Sequence, residues 1–286
     1  MSKKYGSPSD APNASRLPRN WIDPQMAYPD CDVSSVEFDA ALAAARKELL
    51  ENKKPVPAGV VPHLLITIGA PGAGKSTVSE AVVTSRGGDN YVTIDLDVAV
   101  KYHPRYRNIW TAPSAITGKS IGVGFTLNYL TCNESLENIL WRIFDDILLG
   151  EEGGQYNIIL QTHAHSNIIL AKLAGYRVTL LFVGVPLEVA QARSRARAIE
   201  TGKFLARNLA IQNEVVETLW SEYRTSAAWF GLWADEFLVV DNRHSAATDG
   251  DAKKLVLNRV KEVPLRCPNW DACMRRAQEE IDAACY

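Results

Sequence analysis

Residues 69–77 read Gly-Ala-Pro-Gly-Ala-Gly-Lys-Ser-Thr and follow directly on the apolar run Leu64-Leu-Ile-Thr-Ile68. No other stretch constrains the fold as much. The pattern G-x-x-x-x-G-K-[ST] binds phosphate only where a buried strand delivers it and a helix opens behind it. Gly69, Gly72 and Gly74, with the small Ala73 between them, let the backbone curl and aim successive N–H groups inward. Lys75 is placed to reach terminal phosphates as a point charge, and the Ser76 hydroxyl to meet Mg²⁺, with Thr77 completing the first helical turn. A second Gly-Lys-Ser, at Gly118-Lys119-Ser120, has Pro113 five positions earlier and no strand-like lead-in, so it reads as an ordinary loop. A P-loop by itself leaves the reaction open, since switches, motors and kinases share it.

The remainder of the chain supplies the sheet such a loop needs. Tyr91-Val-Thr-Ile94, Asn157-Ile-Ile-Leu-Gln161, Arg177-Val-Thr-Leu-Leu-Phe-Val-Gly184 and Glu236-Phe-Leu-Val-Val240 are short, nearly continuous apolar runs separated by helix-compatible segments. Strands covered on both faces look like this. With the strand before the P-loop, the pattern predicts an α/β, three-layer P-loop fold with a central, mainly parallel five-stranded sheet and a ligand crevice at the strand carboxyl ends. Ser34-Ser-Val-Glu37 is a capping box, and Phe38, Leu42, Ala45 and Leu49 recur on one face of the helix it opens. The predicted organisation is an N-terminal tail over 1–33 that is flexible or partner-bound, a kinase domain over 34–250, and a helical C-terminal appendage over 251–286 broken at Pro268. Within the tail only Trp21, Ile22, Met26 and Tyr28 are sizeable apolar groups, available to a protein partner or to the domain itself.

Composition narrows the partners. The 31 basic and 33 acidic residues leave a net charge of −2, which gives no overall electrostatic reason to expect nucleic acid or an anionic membrane. No apolar run approaches the ~18 residues of a membrane span, and the amino end lacks a signal-peptide core. Its basic, Ser-containing start is faintly similar to a transit peptide, but Pro8, Pro12 and Pro18 oppose an amphipathic helix there. The five cysteines are widely spread and never in C-x-x-C spacing, so neither a disulfide framework nor a zinc site is predicted. A cytoplasmic protein of a reducing compartment is expected.

Phosphoryl transfer to a hydroxyl needs a phosphate cradle, a bridging cation, a base near the acceptor and mobile positive charge. Asp95 and Asp97 leave the second strand on one face, and that strand is expected to neighbour the P-loop strand. Either aspartate can face the acceptor hydroxyl as base, cap the next helix or help hold Mg²⁺. The segment 187–207 carries Arg193, Arg195, Arg197 and Arg207. Arg193 and Arg197 share a helix face, which suits a lid over phosphates as well as a solvated helix surface.

From Ser35 to Arg243 the chain resembles the zeta-toxin group of P-loop kinases, whose characterised bacterial members phosphorylate UDP-N-acetylglucosamine. The opening helix ending Glu51-Asn-Lys-Lys54, Ile94-Asp-Leu-Asp97 followed by His103-Pro104, Val185-Pro186 before the arginine helix, and Asn242-Arg243 carry the resemblance. It implies Lys75 and Ser76 on ATP and Mg²⁺, Asp97 as base, Arg197 and Arg207 as phosphate clamps, and Asn242 near the adenine. His103, Gln161 and His163 fall on the acceptor side. Where the family ends its third strand with Glu-Gly-Thr-Gly-Arg, this chain has Gln161-Thr-His-Ala-His165, exchanging a carboxylate for an uncharged amide. Glu134 and Glu137 are the nearest counterparts of the family's acidic substrate contact. The implied function is transfer of the γ-phosphate of ATP to a small-molecule hydroxyl, a nucleotide sugar first. A 5′-hydroxyl polynucleotide kinase and a catalytically inactive nucleotide-binding scaffold in a larger assembly are the alternatives.

Overall fold

The strand segments are apolar on both faces because helices cover both. In β1 (His63–Ile68), Leu64, Ile66 and Ile68 enter one core layer and Leu65 the opposite one. The same alternation runs through β2 (Tyr91–Asp95), β3 (Asn157–Gln161), β4 (Arg177–Gly184) and β5 (Glu236–Asp241). The computed structural model describes residues 34–88, 90–95, 102, 133–151, 153–161, 167–201, 209–244 and 257–286. The tail 1–33 lies outside that set.

All five predicted strands form and pair in parallel, and a short sixth, β6 (Val260–Glu262), adds antiparallel to β5 at the edge. The order is β2-β3-β1-β4-β5-β6. This corrects the expected adjacency of the second strand and the P-loop strand, because β3 lies between them. The consequence is local to the site: Gln161 ends the strand next to β1, and Asp95 sits one strand further out. Strand order is decided by which faces the crossing helices can cover, and a strand's own residues do not encode it.

One layer holds α1 (Ser35–Leu50), α3 (Asn133–Leu149), α4 (Asn167–Leu173), α6 (Leu209–Gly231) and α7 (Trp270–Cys285). The other holds α2 (Lys75–Ser85) and α5 (Leu187–Thr201). Ser34 caps α1 through the predicted box: Glu37 N–H donates to Ser34 Oγ, and Ser34 N–H donates to the Glu37 carboxylate at 2.9 Å. α7 buries Ala277, Ile281 and Ala284 against α6 and the β4–β5 half of the sheet, so it closes the core on that side.

The cysteine reading needs correction. Cys267 and Cys273 form a disulfide with a Cα separation of 5.4 Å. Asn269 caps α7, so Cys267 stands just outside the helix while Cys273 lies in its first turn. That turn folds the two together at a spacing no sequence motif records. Among the described residues Cys285 is the free thiol, buried, with its pKa pushed up to about 12 by that burial. No described helix is long and apolar enough to cross a membrane.

Candidate active site

The P-loop turns over the carboxyl end of β1, where the strand order reverses direction, so the loop opens into the crevice beyond the strands. Two of its glycines are obligatory for identifiable reasons. Gly72 has φ +84°, and a Cβ there would lie 2.4 Å from the Ala190 carbonyl oxygen and 2.9 Å from the Ser194 nitrogen, both on α5. Gly74 has φ +87°, and a Cβ there would meet the Asn242 side-chain nitrogen at 2.5 Å. The loop is thus clasped from behind by α5 and by the end of β5.

α2 starts at Lys75 with Gly74 as its cap and no side chain bonded to its first amides. Such a start offers backbone donors and the positive end of the helix dipole to an anion. The Lys75 ammonium folds back on the loop, donating to the Gly69 carbonyl at 2.9 Å and the Ala70 carbonyl at 3.3 Å. A cradle of inward amides, a lysine at its mouth and a positive-φ turn with no room for side chains fits a polyphosphate chain. Lys75 and the amides from Gly69 to Thr77 would hold it.

Ser76 donates its hydroxyl to Gln161 Oε1 at 3.1 Å. Cα register explains the meeting: Gln161 lies opposite Thr67 of β1 on one side and Asp95 of β2 on the other. Paired residues point to the same face of a sheet, so Asp95, Gln161 and Thr67 form one row on the α2 side, at the strand ends below Ser76. Thr67 is fully buried, and its hydroxyl has no hydrogen-bond partner among the described residues. The row presents oxygen donors, including one carboxylate, which is the donor chemistry Mg²⁺ takes. Ser76 and Asp95 would hold the ion, with the Gln161 carbonyl oxygen beside them.

Asn242 is buried at 4% exposure and donates its side-chain amide to the Ala73 carbonyl at 2.7 Å. Its backbone N–H donates to Gly184 at 2.9 Å. Arg193 turns inward from α5, donating to the carbonyls of Asn242 at 2.9 Å and Arg243 at 3.0 Å, whereas Arg197, one turn on, is exposed. The two arginines that shared a face in sequence therefore have different surroundings. Burial lowers the Arg193 pKa from its ordinary value. Arg243 is held by Asp241 and also donates to the Ala283 carbonyl near the end of α7 at 2.7 Å. Asp97, His103, His163 and Arg207 lie outside the described residues, as do Gly118 to Ser120. Sequence reasoning did not find Thr67 or the inward role of Arg193. The former reads as one more apolar-strand residue, and the latter depends on where β5 ends relative to α5.

The fold and the loop define a P-loop phosphotransferase of the kinase type. The family model of the zeta toxins matches residues 46–122, the stretch that carries the loop. Among solved structures, the chain is similar to one from the PezAT chromosomal toxin–antitoxin system of Streptococcus pneumoniae, at 16% identity and a TM-score of 0.51 over 91% of this chain and 99% of that one. It is also similar to AvrRxo1-ORF1:-ORF2 with ATP, at 12% identity and a TM-score of 0.48 over 87% and 85%. The first of these likenesses concerns the fold alone. No curated protein sequence matches the chain.

Proposed function

We propose that the chain is an ATP-dependent phosphotransferase that moves the γ-phosphate to a hydroxyl of a small molecule, with a nucleotide sugar such as UDP-N-acetylglucosamine as the acceptor class. The observation that carries the reading is the uncapped start of α2 above a row of oxygen donors: Lys75 and the loop amides on one side, Ser76, Gln161 and Asp95 on the other. Bound Mg·ATP supplies the transferable phosphoryl group and a cation to offset its charge. Lys75, now on two loop carbonyls, would hold phosphate oxygens, and the Ser76 hydroxyl, now on Gln161, would help hold the cation. Asp97, two residues beyond the end of β2, takes the proton of the acceptor hydroxyl. Arg197 and Arg207 supply positive charge to the phosphoryl group in flight, and His103, Gln161 and His163 bind the acceptor. A protein partner in the manner of a toxin–antitoxin pair engages the segment 1–33. The reading places the enzyme in the cytoplasm, a reducing compartment in which the Cys267–Cys273 pair would meet reductant.

The test is transfer of labelled phosphate from Mg·ATP to UDP-sugars, nucleosides and DNA or RNA oligonucleotides. Labelling of a UDP-sugar, lost in Asp97→Asn while ATP binding persists, is the expected result. Labelling confined to oligonucleotide 5′ ends identifies a polynucleotide kinase instead. ATP binding with no transfer to any acceptor identifies a nucleotide-binding scaffold, which the uncharged Gln161 beside Ser76 favours as the second reading.

A further inference from the structure

The rear of the phosphate loop is tied to α5 by a chain of three hydrogen-bonding links. The Arg193 guanidinium spans the carbonyls of Asn242 and Arg243; Asn242 donates its side-chain amide to Ala73; and the Asn242 backbone N–H donates to Gly184 at the end of β4. Arg193 forms no ion pair with a carboxylate among the described ones, so its fork is committed to two neutral carbonyls. A half-buried cation used this way costs some desolvation, and what it gains is the fixed geometry of the two carbonyls it spans.

That effect falls on one peptide plane. In a trans peptide the C=O of residue 73 and the N–H of residue 74 point in opposite directions. Fixing the Ala73 carbonyl outward, against Asn242, therefore fixes the Gly74 N–H toward the inside of the loop, where phosphate binds. We infer that Asn242 and Arg193 are positioning residues for the nucleotide phosphates: Asn242 sets the Gly74 amide by holding the Ala73 carbonyl, and Arg193 acts through Asn242. This inference rests on the nucleotide-binding reading of the loop and revises two assignments within it. Asn242 works on the loop backbone, where the family resemblance put it near the adenine, and Arg193 works from α5 on the rear of the loop, where the resemblance named only Arg197 and Arg207 as phosphate contacts.

The test compares Mg·ATP affinity in wild type, Asn242→Asp, Asn242→Ala, Arg193→Lys, Arg193→Gln and the Arg193→Gln/Asn242→Ala pair, by calorimetry well below each melting temperature. Asn242→Asp keeps size but turns a donor into an acceptor facing the Ala73 carbonyl, and should weaken binding by about tenfold or more, the loss of one buried hydrogen bond. Arg193→Lys cannot bridge two carbonyls and should weaken it about threefold. In the Asn242→Ala background, Arg193→Gln should add no further weakening. In nucleotide-free protein labelled with ¹⁵N-glycine, the Gly74 amide signal should shift in Asn242→Asp, a readout that general destabilisation leaves in place. Folded variants that bind Mg·ATP within twofold of wild type, with Gly74 unmoved, overturn the inference and leave the nucleotide reading intact. So does independent, multiplicative weakening in the double variant, which makes Arg193 a direct phosphate contact. If wild type binds no nucleotide, both readings fall. Should the Asn242 variants not fold, Arg193→Lys, which keeps the charge, decides alone by its affinity and its Gly74 signal.

Discussion

Protonating His63, at the end of the sheet opposite the active site, should destabilise this protein. Its ring is bonded at both nitrogens, Nδ1 to the Tyr91 hydroxyl at 2.7 Å and Nε2 to Thr179 Oγ1 at 2.8 Å. Thr179 donates its only proton to Glu236 at 2.7 Å, and Glu236 receives both arms of Arg86. Thr179 must therefore accept from His63, which places the ring proton on Nε2 and leaves Nδ1 to accept from Tyr91. A second ring proton on Nδ1 would make the tyrosine hydroxyl turn and accept, and would place a charge in a largely buried ring. Burial, with Arg86 and Arg177 nearby and Glu236 opposing them, lowers the His63 pKa from 6.5 to about 4. Burial pushes the Glu236 carboxyl up, and the bonds from Arg86 and Thr179 outweigh it, so that group stays ionised below its usual range.

The sign follows from linkage. The unfolded chain takes up the His63 proton near its ordinary pKa while the folded chain resists it, so the contribution is whole above pH 6.5 and lost as pH falls toward 4. The shift corresponds to about 3 kcal/mol in full, and about 2 kcal/mol of it is lost by pH 5. Urea unfolding followed by circular dichroism at pH 7.5 and pH 5 should show wild type losing about 2 kcal/mol more than His63→Gln, since acid-sensitive groups common to both cancel. A difference between the two proteins that stays constant within about 0.5 kcal/mol across this range would refute the neutral, doubly bonded histidine. The network matters to the site because Arg86 ends α2, whose other end presents Lys75 and Ser76.

Gly72→Ala places a Cβ against the α5 backbone at a positive φ, and should destabilise the fold by about 2–4 kcal/mol in thermal melts and weaken Mg·ATP binding; unchanged melting would show that α5 is not seated on the loop. Gln161→Glu keeps an acceptor for Ser76 and adds a carboxylate to the Asp95 row, so the Mg²⁺ midpoint for ATP binding should fall several-fold; an unchanged midpoint would place the ion elsewhere. Reducing Cys267–Cys273, or replacing Cys273 by Ser, opens a short loop at the start of α7 and should cost about 2 kcal/mol, read as a lower melting temperature in reductant. Equal melting with and without reductant would mean the pair carries no stability.

The part of the site that lies in consecutive residues was legible from them. Local physics settles whether Gly69 to Thr77 can wrap phosphate, because glycine torsions, a following helix and a preceding apolar strand are all short-range properties. The same holds for the α1 capping box and for each parallel strand, whose continuous apolar runs state that both faces are covered. Composition, by contrast, misjudged the cysteines, since pairing depends on how the chain turns before α7 rather than on cysteine spacing.

By itself, then, the sequence determined the P-loop, the α/β layering and the list of chemically competent side chains, all of which follow from residues near one another in the chain. Only the tertiary structure decided that β3 enters between β1 and β2, bringing Gln161 rather than Asp95 to Ser76. It likewise decided that Arg193 faces inward to Asn242 while Arg197 faces solvent, and that Asn242 reaches across the chain to Ala73. Those contacts join residues tens to more than a hundred positions apart. Their partners are chosen by strand order and helix seating, which emerge when the whole core packs and are written in no single segment.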